Sequence, residues 1–314
     1  MHTLEPELRI LQTEGLIDQA TASAALATDR RDLVSVHREL RLTMYAGVLL
    51  LMGGVGMVLA RNLESIGPLA IALGLALAAL VCAVPAIRAR LAGRPLAVAA
   101  DYLLLLAVLL ASADLAYIET QFRLLGPLWS WHLLWLAIAH AVVAYTFGSS
   151  LVLAASLTSL AAWFGAGGTV GGLLAGYTSP EVGARALACA AVIAGWRSVD
   201  RRVRPATLFS ATFDHFAANL GFVGAVAWCI EWPWLAAGLP LLAGLAFVSI
   251  RHAFNTGREA FLVYGVLYAA LGFCVATVPH VNDFTAACAL VLLVVSGAAT
   301  AIWQMRRQLR EPVA

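Results

Sequence analysis

The chain contains no lysine, few charges and no like-charge run longer than two residues; Asp, Glu, Lys and Arg together make up 12% of 314 residues. Soluble domains carry roughly 25%, so a water-exposed surface of ordinary size is excluded. The net charge is +2, and arginine supplies the whole positive side. Those arginines stand at the ends of apolar segments, which excludes the basic patch that a nucleic-acid partner requires. Five cysteines, Cys82, Cys189, Cys229, Cys274 and Cys288, lie singly in apolar runs without CxxC spacing. Neither a disulfide framework nor a zinc site follows from them, and they read as small buried hydrophobes. A signal peptide is also missing: MHTLEPELRI lacks the basic-then-apolar order, and the first hydrophobic run begins near Thr43, so the N-terminus is expected to be retained. There is no HExxH, no GxSxG and no repeated acidic motif. An enzyme reading therefore has no recognisable catalytic residues, and no cofactor or metal is implied.

What the chain has is apolar length. Hydrophobic residues make up 61% and the mean hydropathy is +0.85, which makes the lipid bilayer the expected surroundings. A spanning helix needs about 20 mostly apolar residues. Ten stretches qualify, some of them short: 43–60, 68–87, 97–118, 128–147, 149–165, 183–199, 206–230, 233–250, 260–278 and 284–303. Cytoplasmic loops collect arginine. With the N-terminus inside, seventeen of the twenty arginines fall on the inner side, leaving Arg61, Arg123 and Arg185 outside. A missed or extra helix would scramble that alternation. Trp129, Trp131, Trp163, Trp228, Trp232 and Trp234 mark outer segment ends, and Trp196 and Trp303 inner ones, as interfacial tryptophans do. The expected fold is all-α: a polytopic transmembrane helix bundle of about ten spans with both termini cytoplasmic. Residues 1–41 form a cytosolic helical or juxtamembrane element, 42–305 the bundle and 306–314 a cytosolic tail.

In the first segment, LEPELRILQTEG repeats Leu at helical spacing and stops at Gly15, after which Asp18 can N-cap DQATASAALAT. DLVSVHRELRL then leads into the first span. The short helix, EGLIDQA, the basic juxtamembrane helix and the glycine-rich span YAGVLLLMGGVGMVLARN resemble the bacterial predicted-membrane-protein family called domain of unknown function 2157. In that family Trp usually follows the Asn of this motif, where this chain has Leu63 after Asn62. ADLAYIETQF and HLLWLAIAHAVVAY extend the likeness through the first half of the chain. The resemblance implies the multi-span architecture and a place in the inner (cytoplasmic) membrane of a bacterium. It implies no activity, because the family has none established.

Ionisable groups inside a span cost about 2.5–3.5 kcal/mol on insertion scales and usually face a bundle interior or a wet cavity. Asp101 and Arg185 lie near segment ends and can snorkel to water. Asp114 and His132 fall at one depth on consecutive antiparallel segments and form a candidate interhelical pair. Asp214 and His215 lie eight and nine residues into the seventh stretch, about 12–14 Å deep at 1.5 Å per residue. His140 reaches a similar level from the other side. Ser210, Asp214, Ala217, Gly221 and Gly224 form a small-residue stripe that turns Asp214 toward the bundle, with His215 and Asn219 on the adjacent face. Asp214, His215, Asn219 and His140 are thus a candidate mid-membrane polar cluster. A carboxylate beside an imidazole suits a proton relay or a polar-substrate site, and equally a satisfied interhelical hydrogen bond.

GAGGTVGGLLAG, Gly165 to Gly176, lacks the Lys and preceding strand of a phosphate loop and reads as an outer loop or packing segment. His280 and Asp283 of PHVNDF are two ligands at most, too few for a metal site. A membrane-embedded enzyme with Asp214 and His215 as acid and base would lack substrate-positioning groups, and two further functions stay open. One is a small-solute or ion permease; the second half of the chain does not repeat the first, which speaks against an obvious inverted-repeat design. The other is a non-catalytic sensor or scaffold that docks an unknown protein partner through its N-terminal helices. Topology reporters check the frame. A periplasm-dependent reporter should be active when fused within 124–130 or 166–176 and silent within 88–96 or 201–206; activity in either of the latter pair overturns the ten-span alternation.

Overall fold

The computed structural model describes residues 8, 11–13, 17–23, 37–124, 126, 131–165, 180–203, 209–230 and 233–310. Ten α-helices of 14 residues or more and no strand occur among them. They are α1 (His37–Ile66), α2 (Pro68–Leu91), α3 (Val98–Phe122), α4 (His132–Phe147), α5 (Ser150–Trp163) and α6 (Pro180–Val203). Then follow α7 (Ser210–Trp228), α8 (Leu235–Thr256), α9 (Glu259–Thr277), a single 3-10 turn (Val278–His280) and α10 (Phe284–Arg310). Each of the ten apolar stretches coincides with one helix. Seven of the described helices are long and apolar enough to cross a membrane. The other three are α4 and α5, at 16 and 14 residues, and α7, whose 19 residues include Asp214, His215 and Asn219.

The chain divides into two compact units, 1–71 and 72–314, with the boundary in the first turn of α2. In the first unit Asp18 does cap a helical turn: its carboxylate accepts from Thr21 N at 2.8 Å. The hydrogen bonds from Thr21 hold that exposed carboxyl below its ordinary pKa, so the cap is intact above the usual carboxylate range and is lost as pH falls. The Gly15 stop, the 166–176 part of the glycine-rich segment, Trp129 and Trp232 lie outside the described residues.

Short polar turns set the helix order in the second unit. Gly148 takes the left-handed conformation (φ +70°) that ends α4, and Ser149 caps α5 by accepting from Val152 N at 3.1 Å. Two residues suffice to reverse the chain, so α4 and α5 are antiparallel neighbours. The Ser149 hydroxyl also donates to Asp101 at 2.5 Å, tying the start of α3 to the start of α5. Gly257 (φ +67°) ends α8 in the same way, and α9 begins two residues later. The five cysteines are free: Cys189 and Cys229 are buried as expected, Cys82 and Cys274 are half-buried, and Cys288 is exposed.

With lipid as solvent, helices associate through close packing more than through the hydrophobic effect. The α6–α7 seam shows this. A Cβ on Gly224 would lie 2.7 Å from Leu187 and 2.8 Å from the carbonyl oxygen of Gly183, and one on Gly183 would lie 2.8 Å from Trp228. At that end Trp228 Nε1 also donates to the Pro180 carbonyl at 3.0 Å. Gly265 does the same for α8 and α9: a Cβ there would meet the Ala246 carbonyl at 3.0 Å. Phe222, Val226, Cys229 and Leu242 form a buried apolar cluster between these two hairpins. Gly224→Val should therefore lower the unfolding midpoint in detergent by the equivalent of about 1–3 kcal/mol, the usual cost of overpacking. Gly195→Ala, with nothing within 4 Å of its Cβ position, should not; equal midpoints for the two variants would refute the close-packed seam.

Candidate functional site

Asp214 is the fifth residue of α7, which begins at Ser210. It therefore lies about 6 Å along the helix from its start, nearer the end of the bundle than the limits of the apolar stretch placed it. Its side chain is 10% exposed and is held from two sides. From α6, Arg197 Nη2 donates to Oδ2 at 3.0 Å, and Nε lies 2.5 Å from Oδ1 in ion-pair contact without hydrogen-bond alignment. From the N-cap of α9, Arg258 Nη1 reaches Oδ2 at 3.3 Å. His252 of α8 brings its Nε2 to 4.0 Å from the same oxygen, and that buried nitrogen has no hydrogen-bond partner. Four helices thus meet on one carboxylate.

His215 does not pair with Asp214. Successive residues on a helix point about 100° apart and do not face each other. The imidazole instead stacks on Phe261, centroids 4.9 Å apart, and its Nδ1 lies 3.2 Å from the Tyr264 hydroxyl. One turn deeper, the Tyr268 hydroxyl donates to Asn219 Oδ1 at 3.0 Å, and Asn219 Nδ2 donates to the His215 carbonyl at 2.8 Å. His215 and Asn219 on α7 face Tyr264 and Tyr268 on α9, a two-rung polar ladder running inward from the ion cluster. It ends where Tyr268 stacks on Phe222, centroids 4.8 Å apart and planes within 4°.

The other expected sites lie elsewhere. His140 is 5% exposed in the middle of α4, and its Nε2 lies 3.0 Å from Ser112 Oγ of α3. It belongs to the α3–α4 contact, apart from the Asp214 cluster. Asp114 and His132 are not joined by any of the described hydrogen bonds or ion pairs. Asp114 Oδ1 and, one turn on, the Tyr117 hydroxyl are buried without a hydrogen-bond partner. Arg185 pairs with Glu181 at 3.9 Å on an exposed turn. Asp283 caps α10 by accepting from Thr285 and Ala286. No group of three or more His, Cys, Asp or Glu with metal-binding geometry occurs among the described residues.

Arg197, Arg258, His252, Tyr264 and Tyr268 were missed as site residues. Arg197 and Arg258 registered only as markers of membrane sidedness. Their spacing held one usable signal: each closes an apolar stretch next to the helix carrying Asp214 or opens one packed on it, and a buried carboxylate demands such partners.

A cavity of about 490 Å³ opens beside the cluster. Its floor is α7 at Asp214, Ala217, Gly221 and Phe222. One wall is α6, through Leu187, Ala190, Ala194 and Arg197; the other is α8, through Leu241, Leu245, Val248 and His252. The small-residue stripe of α7 therefore does two jobs. At Gly224 it lets α6 approach closely, and at Ala217 and Gly221 it leaves the space between the walls.

Residues 9–153, a little under half of the chain, match the family described as "Predicted membrane protein (DUF2157)". No curated protein and no solved structure matches the chain. The ion cluster and its cavity lie beyond the matched segment, whereas Asp114, His132 and the Ser112–His140 contact fall within it.

Asp214→Asn should lower stability by about 2 kcal/mol or more, because it leaves two guanidinium groups facing each other beside a low-dielectric interior. Arg197→Gln in the same chain should restore part of the loss. Additive losses in a double-mutant cycle read by thermal unfolding would show that the pair is not coupled.

Proposed function

We propose that the chain is a small-solute permease of the bacterial inner membrane, with ten spans, both termini in the cytosol and the α6–α8 cavity as its binding site. The observation that carries this reading is the cavity itself. Its volume lies in the range of small-ligand sites, roughly 300–1,000 Å³, and a few polar groups converge at one end of an otherwise apolar lining. That end belongs to the arginine-bearing side of α6, α8 and α9, the cytosolic side in the proposed topology. Toward the other side the Phe222, Val226, Cys229 and Leu242 cluster closes the path. Access from one side and an apolar barrier on the other are what one half of an alternating-access cycle requires.

The alternative, a sensor or scaffold acting through residues 1–41, draws on the separate compact unit 1–71. Water access decides between the two. In a chain whose five cysteines are replaced, Ala217→Cys should react with a membrane-impermeant thiol reagent added from the cytosolic face of inverted vesicles, and several-fold more slowly from the other face. Protection from both faces would make the cavity dry, remove the support for transport and turn attention to partners of the N-terminal unit.

A further inference from the structure

The cavity is polar at one end only, and its length runs along the helices. Arg197, Asp214 and His252 stand at one level, and Leu187, Gly221 and Leu241 at the other. From Arg197 to Leu187 is ten residues of α6, about 15 Å at the helical rise. Between those levels the walls offer only Ala190, Ala191 and Ala194 from α6 and Leu245, Val248 and Ser249 from α8. Ser249 brings no free donor, since its hydroxyl is spent on the Phe261 carbonyl at 2.6 Å. A hydrophilic solute filling this space would leave most of its polar groups without partners.

Charge fixes the other half of the ligand. Two guanidinium groups, Arg197 and Arg258, share the single carboxylate of Asp214. The neighbouring acid Glu259 is engaged by Arg306 at 3.0 Å, and Asp200 accepts from Tyr145 at 3.0 Å on the α4 side. Counted over Arg197, Arg258 and Asp214, the cluster holds two guanidinium groups and one carboxylate, and His252 stands at the same level with its Nε2 turned to Asp214. Val248 is 62% exposed, and Ala191 and Ala194 are exposed as well, so the groove is open along its side.

We infer that the ligand of this cavity is an anionic single-chain amphiphile: its carboxylate or phosphate head pairs with Arg197, and its chain lies along α7 between α6 and α8. The inference rests on the cavity being the binding site of the permease reading, and it names the substrate class. The open side lets the chain enter from the bilayer while the head stays at the charged level. A free anion without a chain gains only the head contacts.

The test uses the full-length protein in nanodiscs of zwitterionic lipid, with radiolabelled dodecanoate and dodecyl phosphate as probes and protein-free discs as the partition control. Saturable binding above the control is expected. Dodecyltrimethylammonium and inorganic phosphate should compete at least about tenfold less well, since a charge-assisted hydrogen bond is lost in the first and the apolar contact in the second. Arg197→Gln should weaken binding by about tenfold or more. Leu245→Trp, which fills the apolar part and leaves the ion cluster intact, should do so independently. Equal competition by the cationic amphiphile, or binding unchanged in Leu245→Trp, overturns the inference. Binding as described without movement of the amphiphile across proteoliposomes would leave the ligand class standing and sink the permease reading. Flux of a small hydrophilic solute blocked by Leu245→Trp, with no amphiphile binding, would do the reverse.

Discussion

Asp214 is a carboxylate nine-tenths withdrawn from solvent, and the arrangement of α6 to α9 follows from the need to neutralise it. A bare ion there would be costly by several kcal/mol. Two opposite charges about 4 Å apart at an effective dielectric of about 20 attract by about 4 kcal/mol, which offsets much of that cost without a large surplus. The cluster therefore contributes geometry more than stability. Arg197 can reach Asp214 only if the last turns of α6 lie beside the first turns of α7, and Arg258 only if α9 starts at the same level. A slip of one turn in either hairpin, about 5.4 Å, would leave the buried carboxylate without a guanidinium partner.

The glycine seam fixes the opposite end of the same hairpin. Gly183 and Gly224 hold the α6 and α7 backbones together near Trp228, and the Arg197–Asp214 ion pair holds the same two helices nearer their other ends. The groove floor at Ala217 and Gly221 lies between those two fixed points, where the stripe has too little side chain to fill the space.

The ten helices were legible from apolar length alone, because in lipid each span must satisfy its own backbone and so must be a continuous helix. The inward orientation of Asp214 was legible too, from the small residues at helical spacing around it. Pairing was not. Asp214 and His215 are adjacent in sequence, and adjacency on a helix separates side chains, so the partners of each came from other helices: arginines for the first, Tyr264 and Phe261 for the second. The depth of Asp214 was not legible, because the apolar stretch begins at residue 206, four residues before α7 begins at Ser210. His140 shared a level with the cluster only on a count from there, and level alone carries no information about lateral distance.

A gap of this size in a water-soluble protein would tend to close, since exposed apolar walls are driven together by the hydrophobic effect. Among lipid chains that drive is absent, because a lipid tail covers Leu245 or Val248 as well as another helix does. The groove therefore needs nothing to prop it open, and its apolar part discriminates little between one chain and another. Discrimination falls to the charged end, where the buried carboxylate of Asp214 holds two partly exposed arginines. A molecule that matches only the apolar walls gains nothing over bulk lipid; one that also pairs with Arg197 gains contacts that the bilayer interior cannot offer.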